Sequence, residues 1–228
     1  MSILDRSHLH STQTVHYTES QSISQHRVLR NTYMLLSMTL LFSALTAAVG
    51  VSLALPSMGL IVTLVGYFGL LFLTGKLRNS AWGIAAVFGL TGFMGLTLGP
   101  ILSRYLGLPG GSGIVMSAMG LTALIFMALS AYVLISKRDF SFMGGFLAAG
   151  VLVAFVAGLG AIFFEMSVLS VAVSGVFVLL MSGMILFETS QIIRGGETNY
   201  IMATVGLYVT IFNLFTSLLQ LIGIIESD

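Results

Sequence analysis

One carboxylate lies at the end of a long apolar stretch, where a charge is costly. Glu188 directly follows the apolar residues 168–187. An ionised acid in the middle of a bilayer costs about 3 kcal/mol, so Glu188 must find a partner, water or a proton. Because desolvation disfavours the charged form of an acid, we interpret Glu188 as a candidate pH or ion sensor. In the alternative, Glu188 lies in the headgroup zone, solvated and close to Arg194 or Lys76.

A polar stripe runs along the last apolar stretch of the chain. Its members are spaced i, i+3, i+7 and i+10, which places them on one face of a helix: Thr210, Asn213, Ser217 and Gln220. A helix with such a stripe between apolar flanks is expected at the centre of a bundle. There the stripe either forms hydrogen bonds to neighbouring helices or lines a narrow wet path.

The residues that usually carry catalysis or bind metals are missing from most of the chain. There is no cysteine, and all four histidines lie within the first 26 residues, at positions 8, 10, 16 and 26. No nucleophile, base and orienting group can be assembled in the apolar region. We therefore expect no enzymatic activity, no cofactor and no resident metal; His8 and His10 could bind a metal only weakly.

The composition is that of a membrane protein. Hydrophobic residues make up 57% of the chain and charged residues 7%, and the mean hydropathy is +1.03. A helix needs about 20 apolar residues to cross a bilayer, and seven stretches approach or exceed that length: 33–55, 58–74, 81–102, 113–136, 142–164, 168–187 and 200–225. We predict an all-α integral membrane protein with seven spans, in which Pro100 bends or ends the third span early.

Glycines at helical spacing predict where these spans pack most closely. Gly89, Gly92, Gly95 and Gly99 recur every three or four residues in the third stretch. Small residues at this spacing let membrane helices approach each other. We interpret the third span as a packing face rather than as a phosphate-binding loop.

The positive charges predict the orientation of the chain. They fall in the leading segment and in every second gap between spans: Arg6, Arg27, Arg30, Lys76, Arg78, Lys137, Arg138 and Arg194. Only Arg104 lies in a gap on the other side. Since cationic loops stay in the cytoplasm, the N-terminus is predicted to be cytoplasmic and the C-terminus to face outward. A net charge of +1 gives no reason to expect nucleic-acid binding.

Residues 1–26 are predicted to form a separate region. They are rich in Ser, Thr, Gln and His and have little apolar clustering, so we interpret them as a disordered cytoplasmic tail that precedes a membrane domain of residues 27–228. The tail could be a handle for a partner or for an unfolding protease, or simply a solvated chain end.

Several short runs in the membrane domain occur together in one family. They comprise residues 26–33, 99–102, 130–134, 140–145 and 187–201, and the last includes Gly-Gly-Glu-Thr-Asn-Tyr-Ile at 195–201. With these runs the chain closely resembles the Bax inhibitor (TMBIM) family of small membrane proteins, and in particular its bacterial branch. The resemblance implies a seven-helix bundle in the bacterial inner membrane, with the last helix central and the C-terminus in the periplasm.

The resemblance also implies two activities. Bacterial members of the family look like binding partners and modulators of the FtsH-type ATP-dependent membrane protease, which implies a non-enzymatic regulator. Other members behave as pH-sensitive calcium leak channels that sense protons through two acids on the last two helices. Glu188 matches the first acid, whereas Thr210 stands where the second would be. The basic partner expected near the second span is Lys76 or Arg78.

Overall fold

The computed structural model describes residues 3–226 of the chain, with side chains from Gln25 onward. The described residues form helices and no strand. A short 3₁₀ turn at Ser141–Met143 precedes the fifth of seven helices, whose bounds are α1 Ile3–Ser52, α2 Leu60–Leu77, α3 Trp82–Leu106, α4 Gly111–Ser136, α5 Gly144–Phe163, α6 Ser167–Arg194 and α7 Tyr200–Ile225.

The seven predicted spans are confirmed, with some changes at their ends. All seven helices are long and apolar enough to cross a membrane, and the first span begins at Gln25 rather than at Tyr33. Of the bend and the early stop considered at Pro100, the early stop is wrong, because α3 continues through this proline to Leu106. A proline removes one backbone hydrogen bond, but ending the helix in lipid would leave several backbone groups unsatisfied, at several kcal/mol each.

Helix α1 is much longer than its membrane span. Its backbone includes residues 3–24, which belong to the segment predicted as a polar tail. The side chains of these residues, and residues 1, 2, 227 and 228 as a whole, lie outside the described part of the chain. The predicted disorder of residues 1–26, and the weak metal binding considered for His8 and His10, therefore stay predictions.

Helix α7 lies at the centre of the bundle, as predicted. It packs against α1, α3, α4 and α6, and its side chains at Leu207, Tyr208, Leu214 and Leu219 are almost completely buried. The outer helices α2 and α5 pack mainly against α3 and α6. This arrangement places the polar stripe of α7 among protein neighbours rather than in lipid.

Three loops lie together on one face of the bundle. The Asn199 side chain, before α7, donates to the Arg78 carbonyl at 3.0 Å and to Asn79 Oδ1 at 2.9 Å in the α2–α3 loop. Arg194 at the end of α6 forms an ion pair of 3.1 Å with Asp139 in the α4–α5 loop. The loops after the second, fourth and sixth spans thus share a face, which is the arrangement that the charge pattern requires.

Asn199 also caps the central helix, and its replacement by alanine should destabilise the protein by about 2 kcal/mol. Its Oδ1 accepts from the backbone N–H groups of Ile201 and Met202, while its amide group joins two loops. Asn199→Asp keeps the capping oxygen and should retain about half of this stability. Unfolding of the three proteins in detergent, followed by circular dichroism, measures the difference. Equal losses in both variants would show that the amide donor, and not the cap, matters.

Candidate functional site

The predicted sensor acid, Glu188, meets the central helix. Its Oε2 accepts a hydrogen bond of 3.0 Å from Thr210 Oγ1, so two of the predicted site residues come together. Gly206, one turn before Thr210, makes room for this contact, since a Cβ at position 206 would lie 2.8 Å from Glu188 Oε1. The glutamate is half-buried inside α6, which continues for more than a turn to Arg194. Glu188 therefore lies within a membrane-length helix rather than beyond its end.

The two polar residues that follow Glu188 form hydrogen bonds with other parts of the bundle. Thr189 and Ser190 are completely buried. The Thr189 hydroxyl lies 3.4 Å from that of Ser130 on α4, and Ser190 Oγ accepts from the Phe140 backbone N–H at 3.1 Å. Successive helical residues point about 100° apart, so residues 188–190 contact α7, α4 and the α4–α5 loop in turn. This part of α6 is a polar junction of three elements.

The structure does not bring Glu188 to any of the three predicted basic partners. Among the described side chains, the ion pair formed by Arg194 is with Asp139. Lys76 lies in the last turn of α2 and Arg78 is the residue that ends it, and this helix packs on α3. The group that donates a hydrogen bond to Glu188 is thus the neutral hydroxyl of Thr210.

Asp139 lies in the α4–α5 loop, outside the spans, and its ionised form is well supported. The backbone N–H and hydroxyl of Ser141, followed by the charge of Arg194, hold the pKa of the Asp139 carboxyl below its usual value. The Ser141 N–H donates to Asp139 Oδ1 at 2.9 Å. The ion pair between Asp139 and Arg194 therefore persists at neutral pH and leaves Arg194 engaged away from Glu188.

The rest of the α7 stripe extends toward the other end of the bundle. Gln220 accepts a hydrogen bond of 2.8 Å from Ser174 and donates to Ser170, both on α6. Asn213 donates to the Val209 carbonyl of its own helix. Together with Ser217, Asn213 and Gln220 line a cavity of about 280 Å³ between α2, α5, α6 and α7. The stripe thus forms hydrogen bonds between helices and also borders an open space.

The sequence-based prediction missed three residues of the site, one glycine and two serines. Gly206 allows the close approach of Glu188, and Ser170 and Ser174 satisfy Gln220. A signal for the serines was present, since Ser167, Ser170 and Ser174 repeat at i, i+3 and i+7 along α6. That spacing predicts a second polar face, which matches the stripe on α7.

The hydroxyl of Thr210 should contribute to stability because it donates a hydrogen bond to Glu188. Replacing Thr210 by valine keeps the shape of the side chain but removes the donor, and should destabilise the protein by about 1.5 kcal/mol. The same replacement in a Glu188→Leu background should cost much less, since no acceptor remains. Unfolding free energies of the four proteins in a detergent titration give the coupling. Equal costs in both backgrounds would show that the two side chains are not coupled.

These features define a polytopic membrane protein whose central helix carries a polar site and contacts an acidic residue on the preceding helix. The family model described as inhibitor of apoptosis-promoting Bax1 matches residues 25–227, and the chain belongs to this family. Relatives match almost the whole chain. An uncharacterised protein of Pseudomonas aeruginosa is 57% identical over 201 residues, which are 88% of this chain and 90% of that protein.

A second relative has a descriptive name. The modulator of FtsH protease YccA of Escherichia coli K12 is 54% identical over 206 residues, which are 90% of this chain and 94% of that protein. Its counterpart in Escherichia coli O6:H1, with the same identity and coverage, is named inner membrane protein YccA. The family that the sequence motifs predicted is confirmed.

Proposed function

We propose that this protein is a non-enzymatic regulator that binds and restrains an FtsH-type ATP-dependent membrane protease. The single observation that carries the proposal is the 54% identity to a protein named as a modulator of FtsH protease, over 94% of that protein's length. The match extends across the membrane domain rather than over one motif.

Lateral docking in the membrane is supported by the outer helices. Both α2 and α5 are apolar and sparsely covered by the rest of the bundle. Large side chains on them are mostly exposed, as at Ile61 and Phe72 on α2 and at Phe146 and Phe163 on α5. Such faces contact lipid, and either could also receive a membrane helix of the protease. The bundle behind them holds the loops in fixed positions.

The regulator is proposed to lie in the bacterial inner membrane with its N-terminus in the cytoplasm and its C-terminus in the periplasm. Because the chain contains no cysteine, single cysteines report this orientation directly. A cysteine in place of Glu165, in the α5–α6 loop, should react with a membrane-impermeant maleimide added outside spheroplasts. A cysteine in place of Ser80, in the α2–α3 loop, should react only after lysis. The reverse pattern would contradict the orientation.

Co-purification from detergent tests the proposed partnership. The tagged chain and its Glu188→Gln variant are isolated from solubilised inner membranes, and the recovered proteins are identified by mass spectrometry. We expect the protease with both forms, because Glu188 lies inside the bundle and contacts Thr210. A related seven-helix protein without protease affinity is the control. Absence of the protease from both preparations would contradict the proposal.

Restraint could operate by blocking substrate entry or by slow competition as a substrate. A protease that pulls from a free cytoplasmic end would use residues 1–26 as a handle. If the chain blocks substrate entry, deleting these residues should leave the restraint of the protease intact. If the chain competes as a substrate, the deletion should abolish the restraint and increase the lifetime of the chain. Pulse-chase labelling in cells that contain the protease separates these outcomes.

A second candidate function is a pH-sensitive leak for calcium or another cation, gated through Glu188. It is favoured by the acid inside a membrane-length helix and by the cavity along α7, whose mainly apolar lining includes the polar side chains of Asn213, Ser217 and Gln220. Thr210 in place of a second acid removes the coupled pair that two neighbouring carboxyl groups would form. Calcium flux into proteoliposomes that carry the chain, compared with Glu188→Gln, tests this function. Flux that is identical in the two proteins would exclude gating by Glu188.

A further inference from the structure

A cationic pocket opens at the face of the bundle that carries the three connected loops. It has a volume of about 600 Å³ and lies between α1, α4 and α6, far along α6 from the stripe cavity. Small-molecule sites commonly have volumes of about 300–1,000 Å³. Nothing in the proposed regulation of a protease or in the candidate leak uses this pocket.

The polar part of the pocket is suited to an anion. Its lining includes His26 of α1, Lys137 at the end of α4 and Arg194 at the end of α6. Lys137 forms no ion pair with the described side chains, whereas Arg194 shares its charge with Asp139 through one nitrogen, Nη2. A guanidinium has five N–H donors, so Arg194 keeps donors for a ligand. Lys137 supplies a positive charge that is not engaged in an ion pair with any described carboxylate.

The other part of the pocket is apolar, which favours an amphipathic anion over a soluble one. Leu29, Leu134 and Ile193 line it, and each is partly exposed. The residue next to Leu134, Ile135, is 83% exposed near the end of a membrane-length helix, so further apolar surface adjoins the pocket on α4. A soluble anion would make no favourable contact with these apolar side chains. A ligand with a phosphate at one end and hydrocarbon at the other would satisfy both parts.

We infer that this pocket binds the headgroup of an anionic phospholipid, with the phosphate between Lys137 and Arg194 and the start of an acyl chain against Leu29, Leu134 and Ile193. Basic pockets between membrane helices at the cytoplasmic side are typical sites for such headgroups. Arg30, one turn along α1 from His26, adds positive charge on the same side of that helix. The bound lipid would join α1 to α4 and α6 at the membrane boundary.

Native mass spectrometry of the full chain in detergent tests this site. Titration with phosphatidylglycerol should populate a one-lipid complex at lower concentration than titration with phosphatidylcholine. Lys137→Gln should weaken phosphatidylglycerol binding about fivefold, whereas Lys137→Arg should restore it. Lys76→Gln is the matched control, since it removes a lysine at the same face but outside the pocket, and it should leave binding unchanged.

Three outcomes would overturn the inference. The first is equal binding of the two lipids to the unaltered chain. The second is equal weakening by Lys137→Gln and Lys76→Gln, which would indicate attraction to surface charge in general. The third is displacement of phosphatidylglycerol by millimolar inorganic phosphate, which would assign the pocket to a soluble anion. Unchanged thermal unfolding of the variants confirms that binding and not folding is measured.

Discussion

Replacing Gly95 by alanine is expected to destabilise the protein by about 3 kcal/mol. A methyl group on Gly95 in α3 would meet the Ser43 backbone carbonyl and the Thr46 hydroxyl of α1. The carbonyl belongs to the helix backbone and cannot rotate away, so the two helices would have to separate. Gly99, one turn further, is in the same position, because its Cβ would lie 2.8 Å from the Gly50 backbone. The free energy of unfolding in a detergent titration measures the effect.

Gly89→Ala, on the same helix, is the matched control. A Cβ at position 89 would find Leu70 Cδ2 as its nearest neighbour, at 3.9 Å, which is an ordinary contact. Because alanine favours the helix over glycine by up to about 1 kcal/mol, this variant should be as stable as the original chain or slightly more so. A Gly95→Ala variant that is as stable as Gly89→Ala would show that α1 and α3 are not in close contact.

Removing the hydroxyl of Tyr208 is also expected to destabilise the protein, by about 2 kcal/mol. Tyr208 is 1% exposed, and its hydroxyl lies 2.6 Å from Ser43 Oγ on α1 and 3.3 Å from the Thr91 carbonyl on α3. This hydrogen-bonded cluster joins three helices. Tyr208→Phe leaves the buried Ser43 hydroxyl without its partner, and an unsatisfied buried polar group costs more than the lost bond itself.

The pair Tyr208→Phe and Ser43→Ala distinguishes this cluster from a simple loss of packing. If the two hydroxyls stabilise each other, the double variant should be less destabilised than the sum of the single variants. Tyr132→Phe, on the lipid-facing side of α4 and 44% exposed, should have almost no effect. Additive losses from the two single variants would contradict the proposed cluster.

The number and kind of helices could be predicted from the sequence because they depend on local composition. Length and hydropathy along each stretch decide whether a helix can cross a bilayer, and all seven spans were found in this way. The early stop considered at Pro100 was wrong because the rule for proline comes from helices in water, where freed backbone groups are hydrated. In lipid, the continuation of α3 to Leu106 satisfies more of them.

The candidate site could be predicted only in part. Charge and spacing pointed to Glu188 and to the stripe with Thr210, and the structure brings these two residues together. The partner of Arg194 could not be inferred, since Asp139 is distant in sequence and meets it only when α4 and α6 pack. The role of Gly206 could not be predicted either, because a glycine in a helix does not indicate which side chain packs against it.

Two parts of the bundle have different proposed roles: the interior contact between α6 and α7, and the outer faces of α2 and α5. The interior site at Glu188 and Thr210 holds α6 against α7, and its loss should affect stability before it affects binding. Helices α2 and α5 are the least covered of the membrane-length helices, and their outer faces are the surfaces proposed for a membrane partner. Variants of the interior should therefore retain the protease if they fold, whereas bulky polar residues on the outer faces should reduce its recovery.

The most direct test of the proposed regulation is degradation by the purified protease in proteoliposomes. A membrane substrate is reconstituted with an FtsH-type protease and increasing amounts of the chain, and substrate loss is followed with time. We expect degradation to slow as the chain is added and to reach a plateau when the protease is saturated, while ATP hydrolysis continues. A degradation rate that stays constant with the chain in large excess would contradict the proposed function.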